Sequence, residues 1–314
     1  MKRPLLLASI GFAAALCAAG TPEKPPQGLG ETEIARAVRE LTDPDQEVRT
    51  KAFDRLLEWG VADPDRILAA LPENPEDAEL AESCRRLLER LVLEGAKRKA
   101  LKDADGIPDL KEGAENLFAR PSPLALQEYW RVSRKRGRPG AGVFAAFTRH
   151  PDPELKKSAL GILANDRNPQ SAESVHRLLA DADPDVRLTA ASVSAFFPKD
   201  DRIAEGLAKL LSDEDARIRA CAAQGLRGME SRASANALIR VLKDEDRNCR
   251  YAAAETLGFW QVPEAKAAIL SLLSDPDERV RQSAIASVGH YKDRRLSARI
   301  APLLEDPDPQ TRQV

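Results

Sequence analysis

The sequence predicts an all-α protein, a solenoid of stacked helix pairs, and three observations predict it. First, the stretch "DPDERVRQSAIASVG" at Asp275 recurs, with further starts at His150, Asp181, Asp213, Asp244 and Asp306, in steps of 31, 32, 31, 31 and 31 residues. Second, apolar residues inside each copy keep helical spacing rather than alternating. Third, charged residues make up 31% of the chain and aromatics only 4%, with Ala, Leu and Arg abundant, a composition that favours helices over sheets. A fixed period of this length marks one supersecondary unit that can bury its apolar face only by stacking on its neighbours.

Each copy divides into columns with physical roles. The fifth residue after the start is Val48, Leu155, Val186, Ile218, Cys249 or Val280, counting an earlier copy that begins at Asp43. The ninth is always Ala: Ala52, Ala159, Ala190, Ala222, Ala253 and Ala284. The thirteenth is mostly large and apolar, as in Leu56, Leu163, Leu226, Leu257 and Val288. Offsets of 5, 9 and 13 share one helical face. The unvarying Ala marks a place where helices approach closely. The sixth residue is basic: Arg49, Lys156, Arg187, Arg219, Arg250, Arg281 and Arg312. A degenerate copy begins at Asn74.

The acidic start reads as a helix N-terminus. Asp275 is expected to cap, Pro276 to take the first helical position and Glu278 to complete a capping box. In the Asp181 copy the cap is expected at Asp183, before Pro184. Amphipathic segments such as "RIAEGLAKLLSDE" and "SANALIRVLKDED" precede the starts, so each unit is helix, short acidic turn, helix. Carboxylates recurring at equivalent turns read as joints, because a catalytic site needs a few converging groups instead. The three histidines, His150, His176 and His290, fall in separate copies, and HExxH, GxSxG, CxxC and P-loop patterns are lacking.

The N-terminus reads as a targeting segment, with Lys2 and Arg3 before an apolar run and Ala18-Ala19-Gly20 suited to cleavage. A lipid anchor at Cys17 is the minor alternative, because Leu16 stands where a lipoprotein box requires a small residue. No later run is long enough to span a membrane. Ordinary export, to the periplasm, the cell envelope or the medium of a bacterium, is the expectation. Cys84, Cys221 and Cys249 are expected as small buried residues rather than a disulfide framework. The net charge of -2 gives no overall pull toward nucleic acid.

The period fades between residues 94 and 139. Asp103, Asp105, Asp109 and Glu112 there fall at positions of a calcium loop, although Leu101 occupies its first position. An acidic loop of a decayed repeat is the competing and preferred reading. Arg131, Arg134, Lys135, Arg136 and Arg138 read as a solvated helix end before a Pro/Gly break.

The turn Asp and the Val-Arg pair five and six residues later resemble the HEAT repeats, in their short, lyase-type form. The resemblance covers residues 145–314 closely and 31–93 less closely. It implies a right-handed, armadillo-like α-solenoid whose second helices line the concave surface. It also implies a hydrogen-bond ladder between repeats through Asp43, Arg49, Asp181, Arg187, Asp213, Arg219, Asp244, Arg250, Asp275 and Arg281. The copy at 150 departs from it with His150 and Lys156. The implied organisation is a signal peptide at 1–20, a Pro/Gly tether at 21–30, N-terminal repeats at 31–93, an irregular segment or decayed repeat at 94–139, and an array at 140–314 with an incomplete last repeat. The partner face implied is Thr189, Ser192, Phe196, Gln224, Glu255, Phe259, Ser283 and His290. Its small and largely neutral lining suits a protein or peptide better than nucleic acid, which would call for Lys and Arg there. The expected function is therefore a non-catalytic interaction scaffold without cofactor. The alternatives are a lyase-like accessory protein acting on a chromophore-bearing or other protein, a nucleic-acid binder, and a plain spacer.

Overall fold

The computed structural model describes residues 30–62, 64–72, 77–137, 140–166, 171–197, 200–229, 232–293 and 297–313. The segment expected to target the chain, Cys17, residues 21–29 of the expected tether, Asn74 and Arg138 lie outside them. Every regular element among the described residues is helical. The chain forms two compact units, residues 1–166 and 167–314.

The first unit contains α1 (Glu31–Glu40), α2 (Gln46–Ala62), α3 (Pro64–Ala70), α4 (Ala78–Asp103), α5 (Pro108–Ala119), α6 (Pro123–Lys135), α7 (Ala141–Phe147) and α8 (Pro153–Asp166). Leu56, Ile67, Leu87 and Leu91 fill one core, and Leu110, Leu126, Phe144, Phe147 and Leu163 fill the next. Residues 94–135, expected to be irregular, are helical apart from the short turns at 104–107 and 120–122. The period fades because α4 runs unbroken to Asp103 and a separate hairpin, α5 and α6, follows. Asp77 caps α4 and Ser122 caps α6, each accepting a backbone N–H of the first turn.

The second unit repeats one motif. Its helices are α9 (Ala172–Leu178), α10 (Pro184–Val193), α11 (Asp201–Leu210), α12 (Ala216–Leu226), α13 (Arg232–Val241), α14 (Arg247–Phe259), α15 (Lys266–Ser271), α16 (Glu278–His290) and α17 (Ser297–Ile300). The column alanines Ala190, Ala222, Ala253 and Ala284 are wholly buried, as close helix approach requires. Hydroxyls cross the same seam: Thr256 Oγ1 donates to Ala223 O at 2.8 Å and Ser287 Oγ to Ala254 O at 2.8 Å. A Cβ on Gly258 would stand 2.4 Å from that of Ser287, so the approach of α14 and α16 requires glycine there.

The two acidic positions of each turn divide the labour differently from the sequence expectation. The cap of α16 is Asp277, which accepts the N–H groups of Arg279 and Val280, and not Asp275. Asp183, as expected, caps α10, Asp246 caps α14 in the same way, and Asp215 caps α12 by accepting the Arg217 N–H. No capping box forms at Glu278, because with Asp277 as cap that residue is the first of the helix. The leading aspartates face the neighbouring repeat instead.

Arg219 shows the resulting joint. Its Nε and Nη2 donate to both carboxylate oxygens of Asp244 at 2.8 Å, and its Nη1 donates to the Asp213 and Glu214 carbonyls. Arg187 bridges to Asp213, Arg250 to Asp275 and Arg281 to Asp306 with the same fork. Each arginine thus holds the backbone of its own turn, including Asp181 O for Arg187, and the carboxylate of the next turn. Burial pushes the Asp244 and Asp275 carboxyls up, but the hydrogen bonds from Arg219 and Arg250, the backbone N–H groups of Asp246 and Asp277 and the arginine charge together outweigh it and hold both below the ordinary range.

The first unit varies this joint. Arg49 donates to Asp43 O and Pro44 O, and its Nε lies 3.8 Å from Glu79, so a longer carboxylate stands in for the next aspartate. His150 replaces the leading aspartate, and its Nδ1 accepts the Asp152 N–H at 3.0 Å. That bond requires the tautomer protonated at Nε2. Burial, reinforced by Lys156 and Arg90 and opposed by Asp152, lowers the His150 pKa and keeps the ring neutral.

Candidate functional site

The second helices of the second unit, α10, α12, α14 and α16, present one exposed face each. Helical spacing fixes which residues share it. Thr189 and Glu255 are half-buried, and Ser192, Gln224 and His290 are exposed. Phe196 and Phe259 are 46% and 43% exposed, which rules out the buried role that aromatics at helix ends often take. Ser283 is the exception among the expected partner residues. It is buried, and its hydroxyl donates to Tyr251 O at 3.2 Å, so it belongs to the joint between α14 and α16. The next column is more enclosed, with Phe197 buried and Trp260 donating its indole N–H to Arg227 O at 2.9 Å.

The middle of this face carries an arrangement that column reasoning missed. Tyr251, Glu255 and Phe259 follow one another at four-residue intervals along α14, so they stack on one side of it. The Arg279 guanidinium, from α16, lies over the Tyr251 ring with Cζ 5.3 Å from its centroid. The Arg227 guanidinium, just beyond α12, lies over Phe259 at 4.9 Å. The His290 ring meets Phe259 edge-on at 6.4 Å. Such stacks hold a guanidinium in one plane with its N–H edge accessible. Burial and the neighbouring Glu255 carboxylate raise the Tyr251 pKa and keep the phenol protonated. Arg227, Tyr251 and Arg279 lie outside the offsets chosen from the repeat. Reading four residues either way from Glu255 would have found Tyr251.

Chemistry elsewhere finds little convergence. No cluster of three or more His, Cys, Asp or Glu side chains among the described residues is arranged to hold a metal ion. The calcium reading of residues 101–112 is corrected here. α4 extends to Asp103 and α5 starts at Pro108, Asp103 lies 3.5 Å from Lys99, and Asp109 pairs with Arg136 at 2.6 Å. Two helices and two ion pairs occupy the loop and its ligands, while Asp105 is an exposed turn residue and Glu112 lies within α5. Arg134 covers Trp130, so part of the basic segment is tied to its own helix. His176 and His150 each engage the backbone, far from His290 in sequence. The Cys84 and Cys249 thiols are buried, which pushes them up to about 11 and about 12 and leaves them unreactive. No helix among the described residues is long and apolar enough to cross a membrane.

A family model described as HEAT repeats matches residues 141–227 and 203–273. No curated protein matches the chain. Among solved structures, an engineered protein is 19% identical over 98% of this chain and 92% of its own, with a TM-score of 0.45. Human deoxyhypusine hydroxylase in complex with glycerol is 18% identical over 83% of this chain and 96% of its own, with a TM-score of 0.35. A designed armadillo repeat protein in complex with the peptide (KR)4 is 16% identical over 82% of this chain and 99% of its own, also at 0.35. At such identities and scores these likenesses say nothing of partner or activity.

Proposed function

Residues 141–273 of this chain are HEAT repeats, and from that array we propose that the protein is a non-catalytic scaffold whose second-helix face binds a protein or peptide. The observation that carries the reading is the pair of exposed aromatics, Phe196 and Phe259, on a face otherwise made of small and polar residues. Large side chains that packing could have covered, left in water two repeats apart with Gly228 at the equivalent position between them, suit anchors for a ligand. Repeated carboxylates spent on caps and joints support a binding role rather than an acid/base one. The basic and apolar N-terminal segment supports export of the scaffold, with the partner met outside the cytoplasm.

Selection of a displayed random-peptide library on the immobilised full chain tests this. Enriched peptides should bind the wild type and lose about tenfold or more with Phe196→Ser plus Phe259→Ser, the scale of a lost anchor. The melting temperature of that variant should be unchanged. Binders indifferent to the two substitutions, or a large fall in melting temperature, would remove the basis of the proposal.

A further inference from the structure

We propose that the α14 face recognises an extended peptide in which two carboxylate side chains flank a basic one. This rests on reading the second-helix face as a peptide surface and supplies the chemistry of its ligand.

The three groups that would do the reading are already placed. Tyr251 and Phe259 are eight residues apart on α14, about 12 Å along the helix axis. Each carries an arginine laid on its ring, Arg279 on the first and Arg227 on the second. Glu255 sits midway, its side chain 32% exposed. Taken in order along α14, the surface therefore presents a ring-borne positive charge, a carboxylate that lies nearer Arg227 than Arg279, and a second ring-borne positive charge.

The arginines are underused. Among the described residues no carboxylate pairs with Arg279. Arg227 has only Glu255, at 3.9 Å, against 2.7–2.9 Å for the closest contacts of the joint arginines. Arg217, on the same face, differs: Asp215 and Asp185 hold it. Arg227 and Arg279 are restrained by their aromatic partners, so binding an anion would freeze less side-chain motion than usual. A planar guanidinium with a free edge is suited to a carboxylate.

Spacing selects the form of the ligand. An extended chain rises about 3.3 Å per residue and turns alternate side chains to one side. Residues i, i+2 and i+4 then span about 13 Å and face Arg, Glu and Arg in turn. The pattern read is Asp/Glu, any residue, Lys/Arg, any residue, Asp/Glu. A nucleic-acid strand fits worse, because it carries a phosphate at every nucleotide and would set one against Glu255.

The test is fluorescence anisotropy at low salt with the full chain and two labelled peptides, GSDSKSDSG and GSDSESDSG. The wild type should bind the Lys-centred peptide about tenfold more tightly than the Glu-centred one, the discrimination expected of one charge reversal at a partly exposed site. Arg279→Ala and Arg227→Ala should each weaken it severalfold without changing the circular dichroism spectrum. Glu255→Lys should reverse the preference between the peptides. Equal affinities, an unreversed preference in Glu255→Lys, or no saturable binding would overturn the inference. So would an oligothymidylate that binds more tightly than either peptide through the same arginines. Library peptides that need Phe196 and Phe259 but show no such charge pattern would sink this inference alone. A library without any such peptides would sink the underlying reading.

Discussion

Replacing Asp275 probes the joint between two repeats at a nearly buried carboxylate. Its side chain is 6% exposed and that of Arg250 is 13% exposed. Oδ1 accepts both Arg250 Nη2 at 2.8 Å and the Asp277 N–H at 3.0 Å, and Oδ2 accepts Arg250 Nε at 2.8 Å. Asp275→Ala removes both acceptor oxygens and all three hydrogen bonds, and leaves a nearly buried guanidinium half unpaired. Losing one partner of such a pair costs about 3–5 kcal/mol. The low end applies, about 3 kcal/mol, because Arg250 keeps its bonds to Asp244 O and Glu245 O. Asp275→Asn should cost less, about 1–2 kcal/mol, since Oδ1 survives with two of the three bonds and only the charge and the Nε contact are lost. Arrays of repeats lose two-state behaviour easily, so urea denaturation should be paired with hydrogen exchange. Protection should fall first in α14 and α16. If the Ala variant costs under about 1 kcal/mol, or the Asn variant costs as much as Ala, the arginine fork is not what holds the repeats together.

Four further outcomes rest on the structure. Gly258→Ala should destabilise by about 1–3 kcal/mol through its clash with Ser287, whereas Gly289→Ala, at the equivalent position with nothing within 4 Å, should stabilise by about 0.5–1 kcal/mol in thermal melts. Two effects of the same sign would refute this. The folded pKa of His150 lies below 6.5, so its contribution is complete above 6.5 and is lost as pH falls below that toward the lowered value. His150→Asp should erase this limb of a stability–pH profile. Asp244 and Asp275, held below 3.8, contribute above that value and should lose their contribution only as pH falls through their lowered folded values. Calcium should leave the melting temperature of both the wild type and Asp105→Ala unchanged, because Asp103 and Asp109 are already paired.

What the sequence by itself determined was whatever repeats. A period of about 31 residues, an apolar stripe and a small residue at one position are local constraints that every copy must satisfy, so they are written several times over. Helix pairs, the buried column alanines and the arginine at each turn were legible on that ground. Which of two aspartates caps was legible in the Asp181 copy, where Pro184 follows Asp183, and not in the Asp275 copy, because both carboxylates suit a helix N-terminus. Only the neighbouring repeat, reaching across with Arg219 or Arg250, decides it. The helicity of residues 94–135 was hidden for the converse reason: one long helix and one hairpin leave no period to read. The α14 face was hidden too. Tyr251, Glu255 and Phe259 belong to one helix, but Arg227 and Arg279 come from its two neighbours. Stacking sets their guanidiniums on those rings, and stacking is a property of the tertiary structure.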